Sequence, residues 1–236
     1  MADRPMSGVV EALADLSQAL FAGGDVDSVL ENLLGRARAN VGGCDHASIS
    51  VLGARGNVTT PVGTDPLVVE LDNYQYEARE GPCLEAVKEA APAVYSADLA
   101  GDERWPTFAP RAAGRGVGSI LSHKIAANGN VGALNMYSER AQAFTEADRD
   151  AARLFALFAA VMMGFSQERM QATQLRAALE SRDVIGQAKG IIMERDKLTA
   201  DQAFEKLRRA SQRLNRKLRE LAEDVASTGE EPPNLR

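Results

Sequence analysis

From Thr145 to Glu194 the chain has no proline, and its only glycines there are Gly164, Gly186 and Gly190. Thr145-Glu-Ala-Asp148 has the form of a capping box, in which an N-cap hydroxyl and an acid three residues on satisfy each other's backbone N–H groups. A continuous helix of roughly 50 residues at a rise of 1.5 Å would extend ~75 Å. One small domain cannot bury the apolar stripe of such a helix, so the chain has to divide along it, pair through it, or do both. Leu154, Phe158, Val161, Phe165, Ala172, Leu175 and Leu179 follow steps of three, four or seven, as the seam of a helix pair does. The pattern predicts a homodimer through this connecting helix, with its first part also packing on the preceding domain.

Charge divides at the same place. Residues 1–166 hold 13 Lys+Arg against 21 Asp+Glu, and residues 167–236 hold 14 against 12. The overall charge of −6 therefore averages an acidic part with a slightly basic one and does not by itself exclude a nucleic-acid partner. Aromatic residues follow the split, Phe204 being the only one after Phe165. We expect a mixed domain over 12–165, a small helical domain over 166–230 and a tail over 231–236. Two cysteines cannot build a disulfide framework. The apolar run Ala151–Phe165 is broken by Arg153 and falls short of the ~20 residues that a membrane span needs. With no apolar leader, these features predict a cytoplasmic protein with no membrane partner.

The first part reads as α+β. Val9–Phe21 and Val26–Val41 carry helix-spaced apolar residues, with Asp25 placed as an N-cap. His46–Leu52 and Asn57–Val62 alternate in the manner of strands. Pro66–Tyr76 and Pro82–Ala90 read as helices and Ala93–Ser96 as a short strand. Val117–Ala126 and Val131–Ser138 flank Asn128-Gly129, a strong hairpin signal.

This order of elements resembles the GAF domain, a small-molecule-sensing module with an antiparallel sheet and flanking helices. The cues are Glu80-Gly-Pro-Cys-Leu84, Tyr95-Ser-Ala-Asp98, Asp102-Glu-Arg-Trp-Pro106, Gly132-Ala-Leu-Asn-Met-Tyr137 and Phe144-Thr-Glu-Ala-Asp148. The resemblance implies a sensory cavity for a small molecule but leaves the ligand or cofactor unnamed. Cys44, His46, Cys83 and His123 are the candidate redox or ligand-pocket residues. Their separations of about forty residues match no zinc spacing, so no metal site is expected. Cys83 follows Gly81-Pro82 at a helix start, where a thiol pKa is lowered, so it could be a redox thiolate. A small buried residue packing under the helix is the simpler reading. Some GAF-fold proteins reduce free methionine sulfoxide with cysteines, which implies an alternative thiol enzyme with Cys83 as nucleophile.

In the second part, Leu179-Glu-Ser-Arg-Asp-Val-Ile-Gly-Gln-Ala-Lys-Gly-Ile-Ile-Met193 and Ala203-Phe-Glu-Lys-Leu-Arg-Arg-Ala-Ser-Gln-Arg-Leu-Asn-Arg-Lys-Leu-Arg219 closely resemble the ANTAR domain, a three-helix RNA-binding module of bacterial antitermination regulators. Independently of that likeness, Thr199-Ala-Asp-Gln202 is a second capping box. Ala203, Leu207, Ala210 and Leu214 form one apolar stripe, with Phe204 expected as a core anchor beside it. Ile185, Ala188 and Ile192 form a complementary stripe, and Arg216–Val225 reads as a last helix. Gly186 and Gly190 each cost ~1 kcal/mol relative to alanine in a helix, which predicts close approach of a neighbouring helix or of RNA. Arg208, Arg209, Arg213, Arg216, Lys217 and Arg219 form a basic cluster suited to phosphate backbones. Carried over by position, the resemblance implies RNA contacts by Arg182, Gln187, Lys189, Ser211, Gln212, Asn215, Arg216 and Lys217, beside Ala188 and Gly190. It implies a tandem-hairpin RNA with unpaired loops as partner and no catalytic residue. Without the likeness, solvated charges, local caps at Ser211, Gln212 and Asn215, or a helical protein-interaction module would account for the same residues.

Overall fold

The computed structural model describes residues 4–22, 25–88 and 92–229 and divides into two compact units, 1–167 and 168–236. The expected tail over 231–236 lies outside the described residues.

The first unit opens with helices α1 (Arg4–Phe21) and α2 (Val26–Asn40), and Asp25 caps α2 through the N–H of Ser28. Strands β1 (His46–Leu52) and β2 (Val58–Gly63) follow, then α3 (Pro66–Ala78), α4 (Pro82–Lys88) and β3 (Ala93–Ser96). A short helix α5 (Phe108–Ala113), which no periodicity announced, precedes β4 (Ser119–Ala127) and β5 (Asn130–Ser138). The strands form one antiparallel sheet in the order β2-β1-β5-β4-β3. The β4–β5 hairpin closes on Ala127↔Asn130, and Asn128 and Gly129 both have positive φ (51° and 83°), as a type I′ turn requires.

Both sheet faces are covered. Ala47, Ile49, Leu121, Ile125, Leu134 and Met136 pack on one face against α1, α2 and the start of α6 (Glu146–Asp196). On the other, Ile120, Ala133 and Tyr137 meet Val68 and Leu71 of α3, Cys83 of α4 and Phe108 of α5. A half-exposed strand could place its serines in water. Here Ser48 and Ser50, alternating with Ala47 and Ile49, are forced into the second layer and are fully buried.

The capping box at the start of α6 forms as expected: Thr145 N–H donates to Asp148 Oδ2 (2.9 Å) and Asp148 N–H to Thr145 Oγ1 (3.3 Å). The second unit contains the later part of α6, α7 (Ala200–Leu214) and α8 (Leu218–Thr228). Thr199 and Gln202 complete the second capping box. Ala188 and Ile192 of α6, Ala203 and Leu207 of α7, and Ala222 and Val225 of α8 make its core. The last helix starts two residues later than its sequence pattern suggested, because Asn215 ends α7 in the left-handed region (φ 48°) and Lys217 stands as N-cap.

Candidate functional site

In the first unit, the sheet face beneath α3 and α4 carries a buried polar cluster centred on Asp72, which α3 holds over β1 and β5. Ser48 Oγ (2.7 Å) and Thr60 Oγ1 (2.8 Å) donate to Asp72 Oδ2. Tyr137 OH and Asn135 Nδ2 (3.2 Å) donate to Oδ1. Asn135 also donates to Ser50 Oγ (2.8 Å) and accepts from Ser122 (2.9 Å), while Tyr76 OH bonds Ser50 and Thr60 (both 2.7 Å). Gln75 donates to Tyr137 OH (3.0 Å) and accepts the backbone N–H of Cys83 (2.9 Å). Asp72 and Gln75 are fully buried. Burial pushes the Asp72 carboxyl up from its ordinary value, against the downward pull of the hydroxyls that donate to it. Gly81 is required beside this cluster, because its φ is +126° and an added Cβ would lie 2.4 Å from Gln75 Oε1.

The four candidates of the first unit do not converge. Cys44 packs in the layer with α1, α2 and α6, and Cys83 lies across the sheet. Burial, followed by the neighbouring Asp45, pushes the Cys44 thiol up to about 12. The expectation of a lowered Cys83 pKa is overturned: it is fully buried, and desolvation with the nearby Asp72 raises it to about 12. Loss of hydration outweighs the effect of the short helix start. His46 Nδ1 lies 2.7 Å from Asp65 Oδ2. Burial would raise Asp65, yet hydrogen bonds from His46, Thr64 and the Leu67 N–H hold it below its ordinary value while it caps α3. His123 is buried, its pKa brought down to about 4 mainly by desolvation, and its Nε2 has no hydrogen-bond partner among the described residues. No group of three or more metal-ligating side chains is assembled among the described residues.

In the second unit the basic cluster is less free than its sequence implied. Arg208 (2.7 Å) and Arg209 (3.2 Å) both pair with Glu205, and Arg216 pairs with Asp224 (2.8 Å) and Glu220 (3.7 Å). Arg219 pairs with Glu223 (2.8 Å) and Glu180 (3.5 Å). Among the described residues Arg182, Lys189, Arg213 and Lys217 have no acid within ion-pair distance. Arg182 and Lys189 line one groove with Gly186 and Phe204. Gln187 lines another with Gly190 and Ile191. Ser211 Oγ donates to Arg216 O (2.6 Å), and Asn215 N–H reaches the carbonyls of Gln212 and Ser211, so both build the α7–α8 corner. Two expectations are corrected. Phe204 is 40% exposed and not a core anchor. Gly186 and Gly190 are exposed, and a Cβ added at either would meet nothing within 4 Å, so no neighbouring helix presses on them.

Comparison with known families resolves the two units. The GAF domain profile matches residues 24–163. The chain belongs to the GAF family. An ANTAR domain follows at 173–225, giving a GAF-ANTAR architecture. No curated protein sequence matches the chain. Among solved structures it is similar to the bacteriophytochrome RpBphP3 of R. palustris, with TM-score 0.59 and 14% identity over 88% of this chain and 47% of that one. It is also similar to the GAF domain of the Acinetobacter phosphoenolpyruvate-protein phosphotransferase (TM-score 0.54, 12% identity, 71% of this chain and 97% of that one). A third is the reduced fRMsr of Staphylococcus aureus (TM-score 0.52, 14% identity, 67% of this chain and 94% of that one). At these identities the likeness is one of fold. No helix among the described residues is long and apolar enough to cross a membrane.

Sequence reasoning missed the Asp72 cluster of the GAF domain. Asp72 sits on the polar-looking helix α3, and its partners come from strands up to 65 residues away. The one available signal was the run of small hydroxyl residues on β1, Ser48 and Ser50, at positions of a strand otherwise built for a core. The motif Asp102-Glu-Arg-Trp-Pro106 proves structural: Ser96 donates to Asp102 (2.7 Å), and the Arg104 guanidinium beside it holds that carboxyl down to about 2.

Proposed function

We propose that this chain is a signal-responsive regulator that binds looped RNA and acts by transcription antitermination in the cytoplasm. The observation that carries the reading is the ANTAR domain's set of cations without acidic partners among the described residues: Arg182, Lys189, Arg213 and Lys217. Unpaired cations can neutralise phosphates and release counterions with no internal ion pair to break first. Arg216, paired on an exposed surface, can exchange its carboxylates for phosphate, since such pairs are weak and screened by salt. Gln187, Gln212 and their neighbours would then reach base edges in unpaired loops. The RNA partner is a tandem hairpin whose binding keeps an overlapping terminator from forming.

The GAF domain supplies the input by sensing a small molecule. The deep burial of both thiols argues against a redox input and against a Cys83 enzyme. Output passes through α6 in a homodimer. Val161, Leu175 and Leu179 of the predicted seam are 62%, 62% and 53% exposed, which supports a second copy as the cover for that stripe.

An electrophoretic shift on a pool of tandem-hairpin RNAs, repeated over a salt series, tests this. The expected result is binding whose affinity falls steeply with salt and is lost on charge reversal of Arg213, Arg216 and Lys217 with the fold intact. No shift at low salt, or a shift independent of salt, refutes it.

A further inference from the structure

The groove between the later part of α6 and α7 is lined by Ala178, Ser181, Arg182, Ile185, Gly186, Lys189 and Phe204. It is an open groove of about 500 Å³. Three features coincide here. Phe204 is the ANTAR domain's only aromatic side chain, and it is 40% exposed although neighbouring Ala203 and Leu207 are fully buried. Gly186 is exposed, and a side chain added there would meet nothing within 4 Å, so the helix backbone is open at the groove floor. Arg182 and Lys189, one turn to either side of Gly186, have no acid within ion-pair distance among the described residues.

A second copy of the chain is the obvious competing occupant, since the apolar seam leads into this region. Continuing its steps of three and four from Leu175 and Leu179 arrives at Arg182 and Gly186. In a parallel helix pair those positions would set Arg182 against its own counterpart, which like-charge repulsion disfavours. The apolar seam therefore ends at Leu179, and the groove beyond it is cationic with one exposed ring. That combination, an aromatic face flanked by unpaired cations, suits a nucleobase attached to phosphates.

We propose that this groove receives one unpaired base of a looped RNA, stacked on Phe204, with Arg182 and Lys189 on the adjoining phosphates and Gly186 admitting the sugar-phosphate chain close to the helix. The inference rests on the RNA-binding reading above and deepens it by assigning the stacking residue. Phe204, Arg208 and Ser211 follow one another along α7 by four and three residues, so an RNA strand leaving the slot would run along the ANTAR surface already described.

The test compares the full chain with Phe204→Ala, Phe204→Leu, Phe204→Trp, Arg182→Gln and Lys189→Gln. Each is titrated against two-hairpin RNAs with randomised loops and against the same stems with abasic loops. Stacking lost on alanine substitution corresponds to roughly a 5- to 150-fold weaker Kd. F204A and F204L should both show that loss on intact loops at one salt concentration, keep the salt slope, and leave binding to abasic loops unchanged. F204W should restore affinity, and R182Q and K189Q should each make the slope shallower by about 0.7–0.9. Because Phe204 is substantially exposed, the F204L variant, which keeps apolar bulk without a ring, separates stacking from packing. Full affinity in F204L or F204A, alongside weakened R182Q and K189Q, overturns the stacking slot and leaves the RNA-binding reading standing. Failure of the unaltered chain to bind either RNA at low salt removes both. Unchanged RNA affinity in F204A with a shifted monomer–dimer balance in native mass spectrometry assigns the groove to a second copy and overturns the proposal.

Discussion

Replacing Asp72 distinguishes a polar cluster that organises the GAF domain from one that is merely tolerated. In Asp72→Ala the hydroxyls of Tyr137 and Ser48 lose their acceptor in a fully buried site, while Asn135 keeps Ser50 and Thr60 keeps Tyr76. Each orphaned buried donor costs ~1–3 kcal/mol, and the vacated space adds to that, so D72A should destabilise the domain by about 3–5 kcal/mol. Asp72→Asn should be much milder. Its amide oxygen can still accept from Tyr137 and Asn135, and its NH₂ can face Ser48 and Thr60, whose hydroxyls rotate to accept. Protonation adds a second signature. Burial raises the folded-state pKa of Asp72 above 3.8, so the folded protein binds more protons than the unfolded chain once pH exceeds that value. The unaltered protein should thus lose stability relative to D72N as pH rises above about 4. Urea denaturation of the three proteins across pH, followed by circular dichroism, measures both effects. A D72A protein within 1 kcal/mol of the unaltered one, or a D72N protein as damaged as D72A, would refute the reasoning.

His123 gives the opposite pH trend. Its folded pKa of about 4 lies below the unfolded 6.5, so the unaltered protein should lose stability relative to His123→Leu as pH drops from about 6.5 to about 4 in the same titration. Cys44 and Cys83, both buried with pKa about 12, should resist iodoacetamide at pH 7.5 in the folded protein and react fully in urea, as mass spectrometry would record; rapid native labelling of Cys83 would contradict its placement. Gly81→Ala should destabilise by about 2–4 kcal/mol, through left-handed backbone strain and overlap with Gln75, and a thermal midpoint within a degree of the unaltered protein would be incompatible with that geometry. Thr199→Ala should cost about 0.5–2 kcal/mol in the ANTAR domain by removing the α7 cap, read by thermal denaturation, whereas Thr199→Ser should cost little.

Much of this architecture was written locally. Both capping boxes, the Asn128-Gly129 turn and the Asp25 cap depend on residues within a few positions of one another, and the division of charge near Ser166 is a plain count; a sequence displays such patterns directly. The apolar stripes of α6 and α7 were equally legible, since helical period alone places Ala188, Ile192, Ala203 and Leu207 on facing sides. Short α5 was not, because its six residues are too few to show a period.

What the sequence determined by itself was a pair of domains, most of their secondary structure and the concentration of cations in the second. Tertiary structure decided the state of the individual groups. Burial, not helix position, set the Cys83 thiol, because removing hydration from a thiolate outweighs the field of a short helix. Packing left Phe204 at a groove instead of in the core, and acids from α6, α7 and α8 occupied four of the six clustered arginines and lysines. Asp72 became the centre of a polar network only when the sheet brought β1, β2 and β5 beneath α3. Such groups interact through space, over separations along the chain that no local pattern records.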